Sequence, residues 1–269
     1  MQLTSFRVKP TTAVDLDAVP TRSTDGFSGD KAAGRARTAE LALRIAELQR
    51  MLFAGATERL LLVLQAPDAG GKDAIIAALL SGVNPQGTRV ANFKQPSDEE
   101  LAHDYLWRVH RHAPAKGEIA VFNRSHYEDV LVVAVHDLVP ERIWSRRYEH
   151  INGFEKMLAD EGTTIIKLFL HLSPEEQAVR FQERIDDPTK HWKFRRGDLD
   201  ERARWTDYRV AFEAMLARTS TEWAPWYIIP ADRTWYRNLV AAEIVVSTLE
   251  SLGLRYPDPE PGLEGLKIR

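Results

Sequence analysis

The chain has 269 residues, 44% of them hydrophobic, enough for one large domain with a substantial core or a domain plus a small insert. Its formal net charge is -3 at pH 7, so no global basic bias points to nucleic acid or a membrane, and any polyanion site has to be a local basic patch. There are no cysteines, which excludes disulfides and thiolate metal sites and fits a reducing compartment.

Residues 1–35 are polar and rich in Pro, Thr and Gly, and are expected to form an extended arm. They contain no apolar signal region, and no later window approaches the ~18 uninterrupted apolar residues of a membrane span, so a cytoplasmic protein is expected. The segment "GRARTAELALRIAELQRMLFAG" has helical periodicity in Leu41, Leu43, Ile45, Leu48 and Leu52. The run "LLLVLQ" is short and continuously apolar, as a strand buried on both faces should be. A helix from about Lys72 to Leu80 and a second strand, "TRVANF", follow. "SDEELAHDYLWRVHRHA" opens as a capping box on Ser97 and Glu100 and is expected to be one helix. Next come a strand "EIAVF", a helix "IWSRRYEHINGFEKMLAD" and a strand "TTIIKLFLHL". Residues 173–205 form a charged, helical and loop-like insert placed as a lid. A helix near 206–218, the strand "WYIIP" and the helix "RNLVAAEIVVSTLESL" complete a domain spanning 36–255, and 256–269 is expected to be an irregular tail. Strands alternating with helices argue for a parallel five-stranded sheet covered on both faces, an α/β/α sandwich.

The chemistry concentrates in "LLLVLQAPDAGGKDAII", which has the strand–glycine loop–helix layout of a phosphate-binding P-loop. Gly70 and Gly71 let backbone approach an anion, the amides of Ala69 to Lys72 can point at phosphate oxygens, and Lys72 adds a mobile positive charge. The usual first glycine is Ala66, and Asp73 stands where a triphosphatase has a magnesium-binding Ser or Thr. Two carboxylates beside a phosphate repel it unless a cation intervenes, so Asp68 is a candidate for holding Mg²⁺ or orienting the attacking phosphate. Asp73 either shares that work or caps the helix. In "VFNRSHYEDV", Asn123 and Arg124 fall at the carboxyl end of a strand, where ligands of open α/β sheets collect, and Glu128 and Asp129 follow. The insert carries Arg184, Lys193 and Asp198; taken alone it reads as a solvated helical hairpin, whereas as a lid it would bring charge to a transferring phosphoryl group and exclude water. Lys94 and Arg108, with Arg111 and Lys116, line a groove for a long anion or else form a solvated helix face. The histidines His103, His110 and His112 have no convincing zinc spacing.

With these residues in view, the chain resembles the polyphosphate kinase 2 family over roughly residues 35–255. The resemblance rests on "DAGGKD", "SGVNPQG", "FKQPSDEELAHDYLWR", "FNRSHYEDVLV", "DDPTKHWKFRRGDLDER" and "STEWAPWYIIPADRTWY". It implies a P-loop kinase-like fold with a helical lid. It also implies phosphoryl transfer between inorganic polyphosphate and adenine or guanine nucleotides, with Mg²⁺ (Mn²⁺ as a substitute), in a homodimer or homotetramer. By position, Asp68 and Lys72 match functional loop residues, Arg124 matches the arginine of the second motif, and Arg184 and Asp198 match lid residues. The second motif commonly begins with Asp; Asn123 is a weaker magnesium partner, which leaves Asp68 and Glu128 as the expected metal ligands. Lys72-Asp73 and Tyr127-Glu128-Asp129 resemble the subgroup that phosphorylates both AMP and ADP. The competing readings are an ATP-dependent nucleoside or nucleotide kinase and a nucleotide switch; Asp73 in place of Ser/Thr argues against the switch.

Overall fold

The structure, a computed structural model, describes residues 1–263 and 265–268; positions 264 and 269, within the expected irregular tail, lie outside the described residues. Five parallel strands form one sheet in the order β2-β3-β1-β4-β5, where β1 is Arg59–Gln65, β2 Thr88–Asn92, β3 Ile119–Asn123, β4 Thr163–His171 and β5 Trp226–Pro230. The apolar run of β1 takes the centre, pairing Leu60 with Ile119 on one side and with Thr164 on the other.

The central position explains why β1 reads as a continuous apolar run. Leu60, Leu62 and Leu64 face a core shared with α1 (Lys31–Gly55), α2 (Lys72–Leu79) and the C-terminal helix Thr234–Ser251. Leu43 of α1 is exposed, outside the apolar face that Leu41, Ile45, Leu48 and Leu52 bury. Leu61 and Val63 face the opposite core, with Phe122, Phe169 and helical residues such as Leu131, Ile151 and Phe212. Two cores on two faces of one sheet make the three-layer sandwich expected from the alternation of elements.

Two expected helices are each broken. Residues 97–113 form α3 (Asp98–Leu101) and α4 (Trp107–His110). Between them the Asp104 carboxylate accepts from the amides of Leu106 at 3.0 Å and Trp107 at 3.1 Å, so a second helix start competes with continuation of the first. After α5 (Glu128–Val135), the 143–160 segment likewise divides into α6 (Glu141–Trp144) and α7 (Arg147–Asp160), where the Arg146 amide bonds the Ile143 carbonyl in a tighter turn.

After β4, the insert runs through α8 (Pro174–Asp186), a 3₁₀ turn at Pro188–Lys193 and α9 (Gly197–Ala203) before α10 (Trp205–Thr219), β5 and α11 (Thr234–Ser251). The N-terminal arm bridges the start of β5 and reaches the carboxyl end of β4. The Val8 amide bonds the Trp226 carbonyl at 2.9 Å, and His171 Nε2 lies 3.0 Å from both the Leu16 and Val19 carbonyls. Asp30 caps α1 by accepting from the Ala33 amide at 2.8 Å.

Candidate active site

The turn from β1 into α2 is built on two left-handed residues, Ala69 at φ 61° and Gly71 at φ 92°. Gly71 is required twice over: its φ disfavours a side chain, and a Cβ there would lie 1.9 Å from Arg237 Nη1. Three side chains take the loop's carbonyls. Gln177 Nε2 donates to the Asp68 oxygen at 2.9 Å, Arg180 Nη1 to Ala69 at 3.0 Å and Arg237 Nη1 to Gly70 at 3.0 Å. Lys72 is half-buried at the first turn of α2 and donates to the Ala66 carbonyl at 3.1 Å.

The second loop leaves β3 with Arg124 at φ 60°, a strained value for a residue with a side chain and one found most often at functional sites. Its guanidinium reaches Asp68 Oδ1 at 3.0 Å and Glu128 Oε2 at 3.9 Å. The cation therefore stands between the two carboxylates expected to bind metal. Asn123 Nδ2 donates to Asp73 Oδ1 at 2.7 Å and to Asn92 Oδ1 at 2.8 Å. Asp73 presents only acceptors, which an amide at 123 satisfies and an aspartate would repel. Asp73 does not cap α2, since Gly71 is the cap residue and the Asp73 carboxylate turns to Asn123.

Burial sets the charges of the site against one another. It pushes the Glu128 carboxyl above its ordinary value, with Arg124 and Lys72 pulling it back. The Lys72 ammonium is lowered by burial and then by Arg124, while Asp68, Glu128 and Asp73 oppose the change. A phosphate entering between Lys72 and Arg124 would stabilise both cations in their charged form.

Asp68, Arg124 and Glu128 line a cavity of about 620 Å³. Apolar walls come from Leu131, Val132, Phe169, Trp205 and Phe212, and the arm adds Leu16, Val19 and Thr21. Asp198 lines the cavity from α9, where its Oδ2 accepts from the Arg195 amide at 3.2 Å. Arg195 and Arg202 line it as well.

Arg184 and Lys193 do not line the cavity. Arg184 Nη1 donates to the Lys193 carbonyl at 3.1 Å and its guanidinium lies over Phe181, while Lys193 lies over the exposed Trp192. Lys94 and Arg108 are also outside it. Arg108 is buried, donates to the Lys94 carbonyl at 2.9 Å and pairs with Glu100 at 3.4 Å, so its charge is used in fixing the segment after β2.

Beneath the second loop lies a polar network that motif reading did not single out. Lys167 Nζ donates to Glu155 Oε2 at 2.6 Å, to Tyr127 Oη at 2.7 Å and to the Thr219 carbonyl at 2.7 Å. Tyr127 Oη in turn donates to Glu155 Oε1 at 2.7 Å, and His126 Nε2 lies 3.1 Å from the same oxygen. Burial pushes the Glu155 carboxyl up, but Lys167 and His126 bring it below its ordinary value. A lysine inside "TTIIKLFLHL" and an arginine on the apolar face of "RNLVAAEIVV" were the available signals for Lys167 and Arg237.

Comparison with known proteins agrees with this geometry. The family model described as Polyphosphate kinase 2 matches residues 28–255. The chain is 52% identical to the AMP/ADP-polyphosphate phosphotransferase of Meiothermus ruber, covering 98% of each chain. It is 44% identical to the ADP-polyphosphate phosphotransferase of Rhodopseudomonas palustris, over 95% of this chain and 92% of that one. The crystal structure of Polyphosphate Kinase 2 from Arthrobacter aurescens TC1 superposes with a TM-score of 0.93 at 42% identity, over 97% of this chain and 93% of that one. A family match over most of the chain, full-length relatives and a superposable fold agree with a loop, an arginine and two carboxylates lining one cavity: the chain belongs to the polyphosphate kinase 2 family.

Proposed function

We propose that this cavity is where AMP and ADP accept phosphoryl groups from inorganic polyphosphate, so that the chain is a polyphosphate:nucleotide phosphotransferase. The observation that carries the reading is the character of the cavity's walls. Arg124, Arg195, Arg202 and Arg209 line it beside the apolar and aromatic Leu131, Val132, Phe169, Trp205 and Phe212, a mixed lining that suits a nucleotide's anionic and base parts, and Lys72 stands in the first turn of α2, outside the lining. The full-length relatives are named for this activity with AMP and ADP.

In the reaction, an oxygen of the acceptor's terminal phosphate bonds to the terminal phosphorus of polyphosphate. The bond from that phosphorus to its bridging oxygen breaks, and the chain leaves one unit shorter. Catalysis is then positioning and charge stabilisation. Loop amides and Lys72 hold the transferring group, while Arg124 presents a forked donor pair to it. Arg184, from the resemblance, and Lys193, from its place in the charged insert, are assigned to join the donor chain on lid closure, and Asp198, from the resemblance, to orient the lid. Asp68 and Glu128 would hold Mg²⁺, or Mn²⁺ in its place. No cluster of three or more His, Cys, Asp or Glu occurs among the described residues, and magnesium held by one or two carboxylates plus phosphates fits that donor set. The ion supplies charge neutralisation between donor and acceptor phosphates.

The test is direct: ADP plus polyphosphate, with no ATP added, should yield ATP, and AMP should yield ADP. Product formed only when ATP is the donor would assign the site to an ordinary nucleotide kinase instead. Assembly as a homodimer or homotetramer is proposed on the resemblance alone, and light scattering reads it.

A further inference from the structure

Arg237 is 1% exposed, yet among the described residues it has no carboxylate partner. Its Nε and Nη2 share the neutral Asn238 Oδ1 at 3.2 and 2.9 Å, and Nη1 donates to the Gly70 carbonyl. The nearest cation makes matters worse, because burial and then the Arg180 charge push its guanidinium down to about 9. A buried charge with neutral acceptors only is expensive, and a bound anion nearby would offset that cost. Here the guanidinium lies against Gly71, within the loop whose amides face the phosphate site.

We infer that Arg237, reinforced by Arg180, is a positioning residue for polyphosphate: it fixes the loop through the Gly70 carbonyl and supplies buried positive charge that a bound phosphate chain neutralises. The inference rests on the phosphotransfer reading and deepens it. Arg180 belongs to α8, the helix that leads into the lid, and donates to Ala69 from Nη1 and to the Ala231 and Asp232 carbonyls at 2.6 and 3.2 Å from Nη2. One arginine thus ties together the phosphate loop, the end of β5 and the base of the lid. Gln177, one residue short of a turn earlier, adds the Asp68 carbonyl. Carbonyls held by these three donors are unavailable to rotate toward the anion, which they would repel. A Glu176 contact at 3.1 Å partly balances Arg180, which leaves Arg237 as the less compensated of the two charges.

The experiment compares wild type with Arg237→Lys, Arg237→Met and Arg180→Met in two measurements. One is steady-state kinetics, varying polyphosphate at saturating ADP and Mg²⁺. The other is thermal unfolding with and without tripolyphosphate. For Arg237→Met the KM for polyphosphate should rise about tenfold while the KM for ADP changes less than about twofold, since the buried charge and the Gly70 anchor that are lost both act on the loop assigned to the transferring phosphate. Tripolyphosphate should raise the Tm of wild type clearly and that of Arg237→Met by less than half as much. Arg237→Lys, which keeps the charge, should recover most of the Tm response but not the loop geometry, and so show an intermediate KM. Should Arg237→Met not fold, Arg237→Lys and Arg180→Met carry the test. A merely structural residue would lower Tm and apparent kcat together and leave the polyphosphate KM and the Tm response at wild-type values; that pattern overturns the inference. A wild type that neither uses polyphosphate nor is stabilised by tripolyphosphate overturns the functional reading first, and this one with it.

Discussion

Arg124 donates from Nη2 to Asp68 Oδ1 at 3.0 Å, which joins the loop after β1 to the loop after β3 across two neighbouring strands. The contact puts a forked cation where the two loops meet, and Glu128 lies on its other side at 3.9 Å. A lysine keeps the charge and loses the fork, so Arg124→Lys should fold normally and lose at least about tenfold in kcat/KM. Arg184→Lys should behave alike if the lid arginine meets the donor chain. Wild-type kinetics in both lysine variants would count decisively against these roles.

Lys72 is the mobile charge of the loop, resting 3.1 Å from the Ala66 carbonyl. Lys72→Ala should leave the fold intact and cost about 2–4 kcal/mol of transition-state stabilisation, roughly 30- to 1000-fold in rate. Its far-UV spectrum and Tm establish folding, and kcat within about threefold of wild type would remove Lys72 from the mechanism.

A monophosphate acceptor is one phosphate shorter than a diphosphate, so a hydrated Mg²⁺ near Glu128 would bridge the difference if the base stays in the same place. Glu128→Asn should therefore depress AMP phosphorylation selectively, measured beside ADP at saturating polyphosphate and Mg²⁺. An equal loss with both acceptors, or none, would return Glu128 to a helix-start role worth ~0.3–1 kcal/mol.

His171 fastens the arm, with Nε2 3.0 Å from the Leu16 and Val19 carbonyls. Burial lowers its pKa from 6.5, against the raising effect of those carbonyls and of Asp232 and Asp17. A histidine whose folded value is depressed contributes stability that is present above the unfolded value and lost as pH falls through the folded one. Wild type should lose stability as pH drops below about 6.5, and His171→Gln should flatten that part of the curve while costing about 1–2 kcal/mol at pH 8. Parallel unfolding curves for the two proteins from pH 8 to pH 5 would refute the assignment.

Lys167 and Glu155 are both fully buried and 2.6 Å apart. Removing one partner strands the other, so Lys167→Met should cost about 3–5 kcal/mol, whereas Lys167→Met with Glu155→Leu should cost less than either single change. Chemical denaturation of the three variants reads this. Additive single and double changes would mean that the pair is not energetically coupled.

Much of the fold was legible because its signals are local and periodic. The run Leu60 to Gln65 reads as a strand buried on both faces, and it lies at the centre of the sheet. The loop of Gly70, Gly71 and Lys72 could be read as a phosphate site because backbone amides at a helix start do the work. What sequence alone could not decide depends on contacts between distant positions. The 97–113 helix breaks because Asp104 captures two amides, a competition that periodicity does not register. The role of Asn123 follows only from finding Asp73 and Asn92 on either side of it, since the acceptors of Asp73 favour an amide over the expected carboxylate. Arg237 is far from the loop in sequence, yet its guanidinium fills the space a side chain at Gly71 would need. Sequence named the candidate residues of the loop; tertiary packing decided which buried charges bond to it, because burial turns a weak surface charge into a strong constraint.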